Sequence, residues 1–358
     1  MINRISFENF RGLKKLDLPE LSQITLFTGK NNAGKSSILE GVYLFICHAL
    51  PNSFVLINNF RGIYVNMDPP SIWGPAFYGL DTEKTIKISA VLNNKQCDLS
   101  YQKDSSFVAA EKPDINQTIL KQFASPIRSN YSMKYRYQQK DYSEEGFFYT
   151  NGSGVLRDVK TSLTGNQLLL MPNIFYINSA TLFSFAENTI SDWIGQLELT
   201  GKKEGIVDAL KYIEKDISNL ITITNQGQVQ VFAKVSDQVL PVKLAGDGLF
   251  RLMNILLAIA ANPGSIILID EIETGFHYSM YETLWTLIAK TAKDNNCQII
   301  ATTHSYECIQ NAVSGISAVG CEDSFCMYRI EHSDGENRAY RYDGELTRLS
   351  IDMNMEVR

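Results

Sequence analysis

The sequence predicts an α/β fold: a mixed central sheet flanked by helices, with an inserted β-rich and helical subdomain. Three stretches predict it. Thr28-Gly29-Lys30-Asn31-Asn32-Ala33-Gly34-Lys35-Ser36-Ser37 is a glycine loop of the form G-x-x-x-x-G-K-S, set between the apolar run Ile24–Phe27 and a helix-length apolar segment, Ile38–Ala49. Ile266-Ile267-Leu268-Ile269 is a buried-strand pattern that ends in Asp270-Glu271. Gln298-Ile299-Ile300-Ala301-Thr302-Thr303-His304 is another such run, ending in a polar cluster. Short apolar runs separated by helical patterns are strands of a sheet covered on both faces. The ligand crevice of such a sheet lies at the C-terminal edge of its strands.

The glycine loop carries a mechanism. Gly29 and Gly34 let the backbone curl so that the N–H groups of Lys30, Asn31, Asn32 and Ala33 face a polyphosphate, and the following helix adds its positive end. Lys35 would reach the β- and γ-phosphates of ATP, and the Ser36 hydroxyl would ligate Mg²⁺. Ser37 closes the motif.

Composition bounds the rest. The 358 residues suffice for one large α/β unit, read as an N-terminal lobe 1–102, an inserted region 103–240 and a C-terminal lobe 241–358. Lys and Arg total 33 against 39 Asp and Glu, so the net charge of −6 gives no global attraction to nucleic acid or an anionic membrane. The six cysteines lack C-x-x-C spacing, and Cys47, Cys297 and Cys308 lie within apolar runs that fit reduced core thiols. The start Met1–Ser6 has no signal-peptide core, and Val42–Leu50 and Leu252–Ala261 are too short to span a bilayer. A soluble cytoplasmic protein without a membrane partner is expected.

In chain order, Ile5–Leu13 alternates as a strand turning at Gly12, and Leu16–Leu18 is a second strand that Pro19 ends. Residues 51–79, rich in Asn, Pro and aromatics, predict a long loop. Thr85–Val91 and Gln96–Tyr101 pair through Asn93-Asn94. Residues 103–130 are polar and weakly patterned. Tyr131–Tyr149 is β-like, with Lys and Arg between tyrosines; Asp141, Glu144 and Glu145 dilute that charge, so sheet packing fits better than a stacking platform for single-stranded nucleic acid. Ile174–Asn178 is another buried strand. Thr181–Glu198 and Glu204–Leu220 have helical spacing, the second through Ile206, Leu210, Ile213, Ile217 and Leu220. Ile221–Val235 is a hairpin turning near Asn225–Gln228, His277–Lys293 a helix, and Phe325–Glu331 with Ala339–Tyr342 a closing hairpin before a short helix.

The second half of the candidate site follows from the two acidic and polar strand ends. Asp270 would hold Mg²⁺ and Glu271 would polarise the attacking water. Adjacent strands would put His304 beside Glu271, where it can contact the γ-phosphate; the competing role is a cap for the helix starting at Ser305. Between the halves, Gly246-Asp247-Gly248 opens the apolar helix Leu249–Ala261, and a glycine-rich helix start is an anion site.

The set resembles the ABC-type ATPase heads of the SMC, RecF and OLD families, as a stand-alone OLD-like or RecF-like bacterial AAA ATPase without a Toprim domain. Asn9-Phe10-Arg11-Gly12-Leu13, Gly29–Ser37 with Glu40, and Asp270-Glu271-Ile272-Glu273-Thr274-Gly275-Phe276-His277 carry the resemblance, over residues 1–50 and about 240–310. It implies that Arg11 joins the nucleotide site. It also implies a homodimer closed head-to-tail on ATP, with Gly246, Asp247 and Gly248 acting in trans on the γ-phosphate. The usual signature serine is absent, Ala245 or Gly246 standing in its place. Such a head would control a separate effector, a nuclease or toxin, in antiviral defence. A RecF-like DNA-repair ATPase and an ATP-binding scaffold of slow turnover are the alternatives, and no coiled-coil arm argues for a true SMC protein.

Overall fold

The computed structural model describes residues 1–106, 131–140, 142–151, 154–163, 171–178, 185–333 and 335–353. β1 (Ile2–Phe10) and β2 (Leu13–Leu18) form a hairpin, β3 (Ile24–Thr28) enters the glycine loop, and α1 (Lys35–Ile46) leaves it. After α2 (Ser53–Asn59) and α3 (Pro69–Trp73) come β4 (Ile86–Leu92), β5 (Lys95–Asp104), β6 (Ser132–Gln139), β7 (Tyr142–Thr150), β8 (Val155–Leu163) and β9 (Ile174–Ile177). α4 (Glu187–Leu199) and α5 (Lys203–Leu210) precede β10 (Ile217–Asn225), β11 (Gln228–Val235) and β12 (Gln238–Pro241). The chain ends through α6 (Asp247–Ala260), β13 (Ile266–Ile269), α7 (Tyr281–Asp294), β14 (Gln298–Thr302), α8 (Tyr306–Ser317), β15 (Phe325–Ser333), β16 (Glu336–Asp343) and α9 (Gly344–Asp352).

The central sheet has six strands in the order β16-β15-β3-β14-β13-β9. It is mixed, as predicted: β16 pairs antiparallel with β15, and every other neighbour is parallel. Alternate side chains go to opposite faces of a strand, and the sheet therefore feeds two cores. Leu26, Ile267, Ile269, Ile299 and Ala301 pack under α6, α7 and α8. Phe27, Ile266, Leu268 and Ile300 pack on the other side, with α1 and a seven-stranded antiparallel sheet ordered β2-β1-β4-β5-β6-β7-β8. Ser37 through Ile46 are all buried, because α1 lies between the two sheets. β6 to β8, from the region expected as an insertion, extend the sheet begun by β1, β2, β4 and β5. β10, β11 and β12 form a small sheet of their own.

Two expectations need correction. Residues 51–79 carry α2 and α3 rather than one long loop. Asp68 caps α3 by accepting the N–H of Ser71 at 3.1 Å, Pro69 starts it, and Phe54, Ile57, Ile72 and Trp73 are fully buried. The helix expected over 204–220 stops at Leu210, and Ile217 and Leu220 belong to β10. The start of the helix expected from Thr181 lies outside the described residues. Elsewhere the turn Asn93-Asn94 has φ of 49° and 61°, the left-handed pair that a two-residue hairpin requires. Tyr135 and Tyr137 point inward and are fully buried, so they are sheet packing. All six cysteines are buried free thiols.

His48, just past α1, lies flat on Tyr137 with ring centroids 4.2 Å apart. Burial pulls its pKa from 6.5 down to about 4. Between those values the unfolded chain takes up a proton that the folded chain refuses. The contribution is whole above pH 6.5 and is lost as pH falls toward 4, by up to about 3 kcal/mol. His48→Gln is expected to flatten the fall in urea midpoint between pH 7 and pH 5; an equally steep fall would locate the titration elsewhere.

Candidate nucleotide-binding site

The loop between β3 and α1 has the backbone its sequence demands. Gly29, Asn32 and Gly34 have φ of 139°, 63° and 104°. Side chains rarely adopt these angles, and space excludes them as well. A Cβ on Gly29 would lie 2.2 Å from the Ile330 carbonyl oxygen, and one on Gly34 would lie 2.6 Å from Leu13. Asn337 of β16 fixes the loop from behind, donating to the Ala33 carbonyl at 3.2 Å and accepting the Lys14 N–H at 3.3 Å. Lys30, Asn31 and Asn32 are exposed at the rim. Gly34 offers no side-chain cap to α1, whose first N–H groups suit an anion. The Lys35 ammonium bridges the loop, donating to the carbonyls of Gly29 at 2.6 Å and Lys30 at 3.2 Å. Burial pushes its pKa down, while Asp270, Glu273 and Glu271 pull it up.

Strand order brings the acids to this loop. β13 lies next but one to β3, with β14 between them. Ser36 donates to Asp270 at 3.1 Å across 234 residues of sequence. Thr302 at the end of β14 donates to the same carboxylate oxygen at 2.6 Å, and Tyr176 of β9 to the other at 3.3 Å. A hydroxyl and a carboxylate side by side are hard oxygen donors that fit Mg²⁺, which keeps waters and phosphate oxygens for its other positions. Ser36 and Asp270 would hold the ion, which supplies charge neutralisation on the phosphates when bound.

Glu271 has φ of 47°, a strained angle for a glutamate. Its surroundings enforce it. Its N–H donates to Thr302 Oγ1 at 2.8 Å, and its carbonyl accepts from Thr274 N at 3.0 Å and from the Arg251 guanidinium at 3.0 Å. Arg251, on the second turn of α6 and 7% exposed, also donates to the carbonyls of Asp270 at 2.9 Å and Asn178 at 3.0 Å. A Cβ on Gly248 would lie 2.8 Å from the Gly275 carbonyl, so the segment after Glu271 rests directly on the start of α6. Sequence reasoning missed Arg251, Thr302 and Tyr176 as supports; the signals were a lone charge in an apolar helix and the polar end of the 298–304 run.

The remaining predicted residues divide. His304 reaches the site, but its ring meets Glu273 rather than Glu271: Nδ1 is 3.1 Å from Glu273 Oε1. It does not cap the next helix, because Ser305 does so itself, accepting from Cys308 N at 3.1 Å. Gly246 and Asp247 are exposed at the N-terminus of α6. Arg11 has a buried guanidinium that lies 2.8 Å from Glu40 and donates to the carbonyls of Pro75 and Ile57 and to Asn58. Arg61 reaches the first turn of α1, bonded to Glu40 at 2.5 Å and to Ser37 Oγ at 3.0 Å. Burial raises the Glu40 pKa, and the two arginines oppose it.

A phosphate loop on one strand and acids on the next strand but one are the arrangement of an ABC-type P-loop ATPase head. The chain belongs to the AAA ATPase domain family, whose model it matches over residues 1–158 and 157–309. It is 27% identical over 385 aligned positions to an ATP/GTP phosphatase of Helicobacter pylori, covering 96% of this chain and 99% of that one. It is 22% identical over 351 positions to an OLD nuclease of Thermus scotoductus, covering 85% of this chain and 59% of the nuclease. A crystal structure of an SMC head bound to the C-winged helix domain of ScpA superimposes with a TM-score of 0.52 at 14% identity, covering 96% of this chain and 98% of that one.

Proposed function

We propose that this chain is an Mg²⁺-dependent ATPase switch that closes head-to-tail with a second copy on ATP and controls a separate nuclease or toxin in antiviral defence. The observation that carries the ATPase reading is the Ser36–Asp270 contact beneath Lys35, with Glu271 next to it. In this reading Lys35 and the loop amides hold the triphosphate, Glu271 orients the water that attacks the γ-phosphate, and the start of α6 at Gly246-Asp247-Gly248, exposed at Gly246 and Asp247, meets the partner's nucleotide. The similarity to an ATP/GTP phosphatase supports hydrolysis, and the defence setting rests on the resemblance of the motifs to OLD heads alone.

Charge weighs against a DNA clamp. On the seven-stranded sheet Arg4 pairs with Asp17, Lys87 with Glu8, Lys103 with Glu83, and Lys134 and Arg136 with Glu145. Matched cations release few counterions on meeting a phosphate backbone. The test is light scattering with phosphate release. The 40.3 kDa chain is expected to double in mass with ATP and Mg²⁺ and to release phosphate. Unchanged mass together with no phosphate would overturn the reading.

A further inference from the structure

Glu273 is a carboxylate for which the phosphate-site roles above leave no task. It lies on the segment joining β13 to α7 and is 7% exposed. Its Oε1 accepts the His304 N–H at 3.0 Å and lies 3.1 Å from His304 Nδ1. Its Oε2 is buried and has no hydrogen-bond partner. Burying a carboxylate with one oxygen unsatisfied costs free energy, and its field reaches Lys35. The His304 ring is 53% exposed, so only its Nδ1 edge is tied down.

We infer that Glu273 is the positioning residue of His304: it holds the imidazole by its Nδ1 edge and leaves Nε2 as the ring nitrogen available to a bound nucleotide. The tautomer follows from the acceptor. A carboxylate oxygen 3.1 Å from Nδ1 suits a proton on that nitrogen, and the tautomer with Nδ1–H carries its lone pair on Nε2. A carboxylate behind a metal-ligating histidine fixes ring orientation in the same way, and its loss commonly lowers metal affinity or activity about 10- to 100-fold. The two contacts from one oxygen add a second constraint, tying the ring to the backbone at the end of β14.

The role rests on the ATPase reading, so the test has one arm that needs no turnover. In the ligand-free protein, the ¹⁵N shifts of the neutral His304 ring, identified by their loss in His304→Ala, are expected to show protonated Nδ1 and bare Nε2. Glu273→Gln should shift that balance; a wild-type ring protonated on Nε2 would overturn the inference. In the second arm, Glu273→Gln keeps an acceptor for the His304 N–H and is expected to lower kcat about 10- to 100-fold, with KM and ATP affinity within about twofold. It should add nothing in a His304→Ala background. Wild-type kcat in Glu273→Gln, or a loss that adds fully to that of His304→Ala, would sink it. If the wild-type chain neither binds nor hydrolyses ATP, the ATPase reading fails while the ring measurement still decides this one.

Discussion

Lys35→Ala is expected to remove nucleotide binding and leave the fold standing. The ammonium sits over the loop on two carbonyl oxygens, with three carboxylates in electrostatic range. Burial pushes the lysine pKa down and the acids pull it up, so the amine is set against carboxylates where a triphosphate would arrive. Alanine leaves Asp270, Glu271 and Glu273 without the counter-charge that offsets them near the incoming phosphates. A hydrogen bond to a charged group contributes roughly 1.5–3 kcal/mol. Losing two such bonds raises Kd by a factor of about 10² to 10⁴. The loop itself is held by Asn337 and by the close approach of Gly29 to β15, neither of which involves the lysine side chain. The melting temperature should therefore stay near that of the wild type. Calorimetric titration with ATP and a thermal scan read the two quantities separately. ATP binding within about threefold of wild type would remove Lys35 from the role given to it.

The contrast between what the sequence exposed and what it hid follows from contact distance along the chain. The glycine loop is contiguous, and its angles are forced by its own glycines, so it was legible as text. The β13 run was legible because a strand buried on both faces must be apolar and must surrender polarity only at its end. Arg251, Thr302 and Tyr176 were not, since they acquire meaning only when β9, β13 and β14 lie side by side. Strand order is a long-range property that no local pattern states. The partners that hold Arg11, on α1 and in the segment from α2 to past α3, were hidden for a related reason, since they lie far from it in sequence. The boundary at Leu210 was missed because Ile213, Ile217 and Leu220 continue a helical spacing by coincidence, while Ile217–Asn225 is β-branched and pairs with β11. The capping signal of Asp68-Pro69 was present in 51–79 and was outweighed by loop-like composition.

Glu271→Gln is expected to stop turnover while ATP binding survives, so that the closed dimer accumulates. Glutamine keeps the length and the polar end of the side chain and loses only the ability to draw a proton from water. General-base assistance contributes about 10² to 10⁴ in rate, and kcat should fall by at least about 100-fold. The backbone predicts that this loss is clean. The strained φ of Glu271 is imposed by Thr302, Thr274 and Arg251 through main-chain atoms, and the substitution touches none of these bonds. The side chain is therefore delivered to the same place in the variant. Because Arg251 ties the Glu271 carbonyl to α6, whose first turn is proposed to meet the partner's nucleotide, closing the proposed dimer and aiming the carboxylate would be one mechanical event. Hydrolysis would then be the step that releases the partner. Mass measured during a chase with excess ADP distinguishes the outcomes: the variant should remain at twice the chain mass long after the wild type has returned to one. Turnover equal to wild type would assign the attacking water to another base, and a variant that never doubles in mass would separate closure from ATP binding.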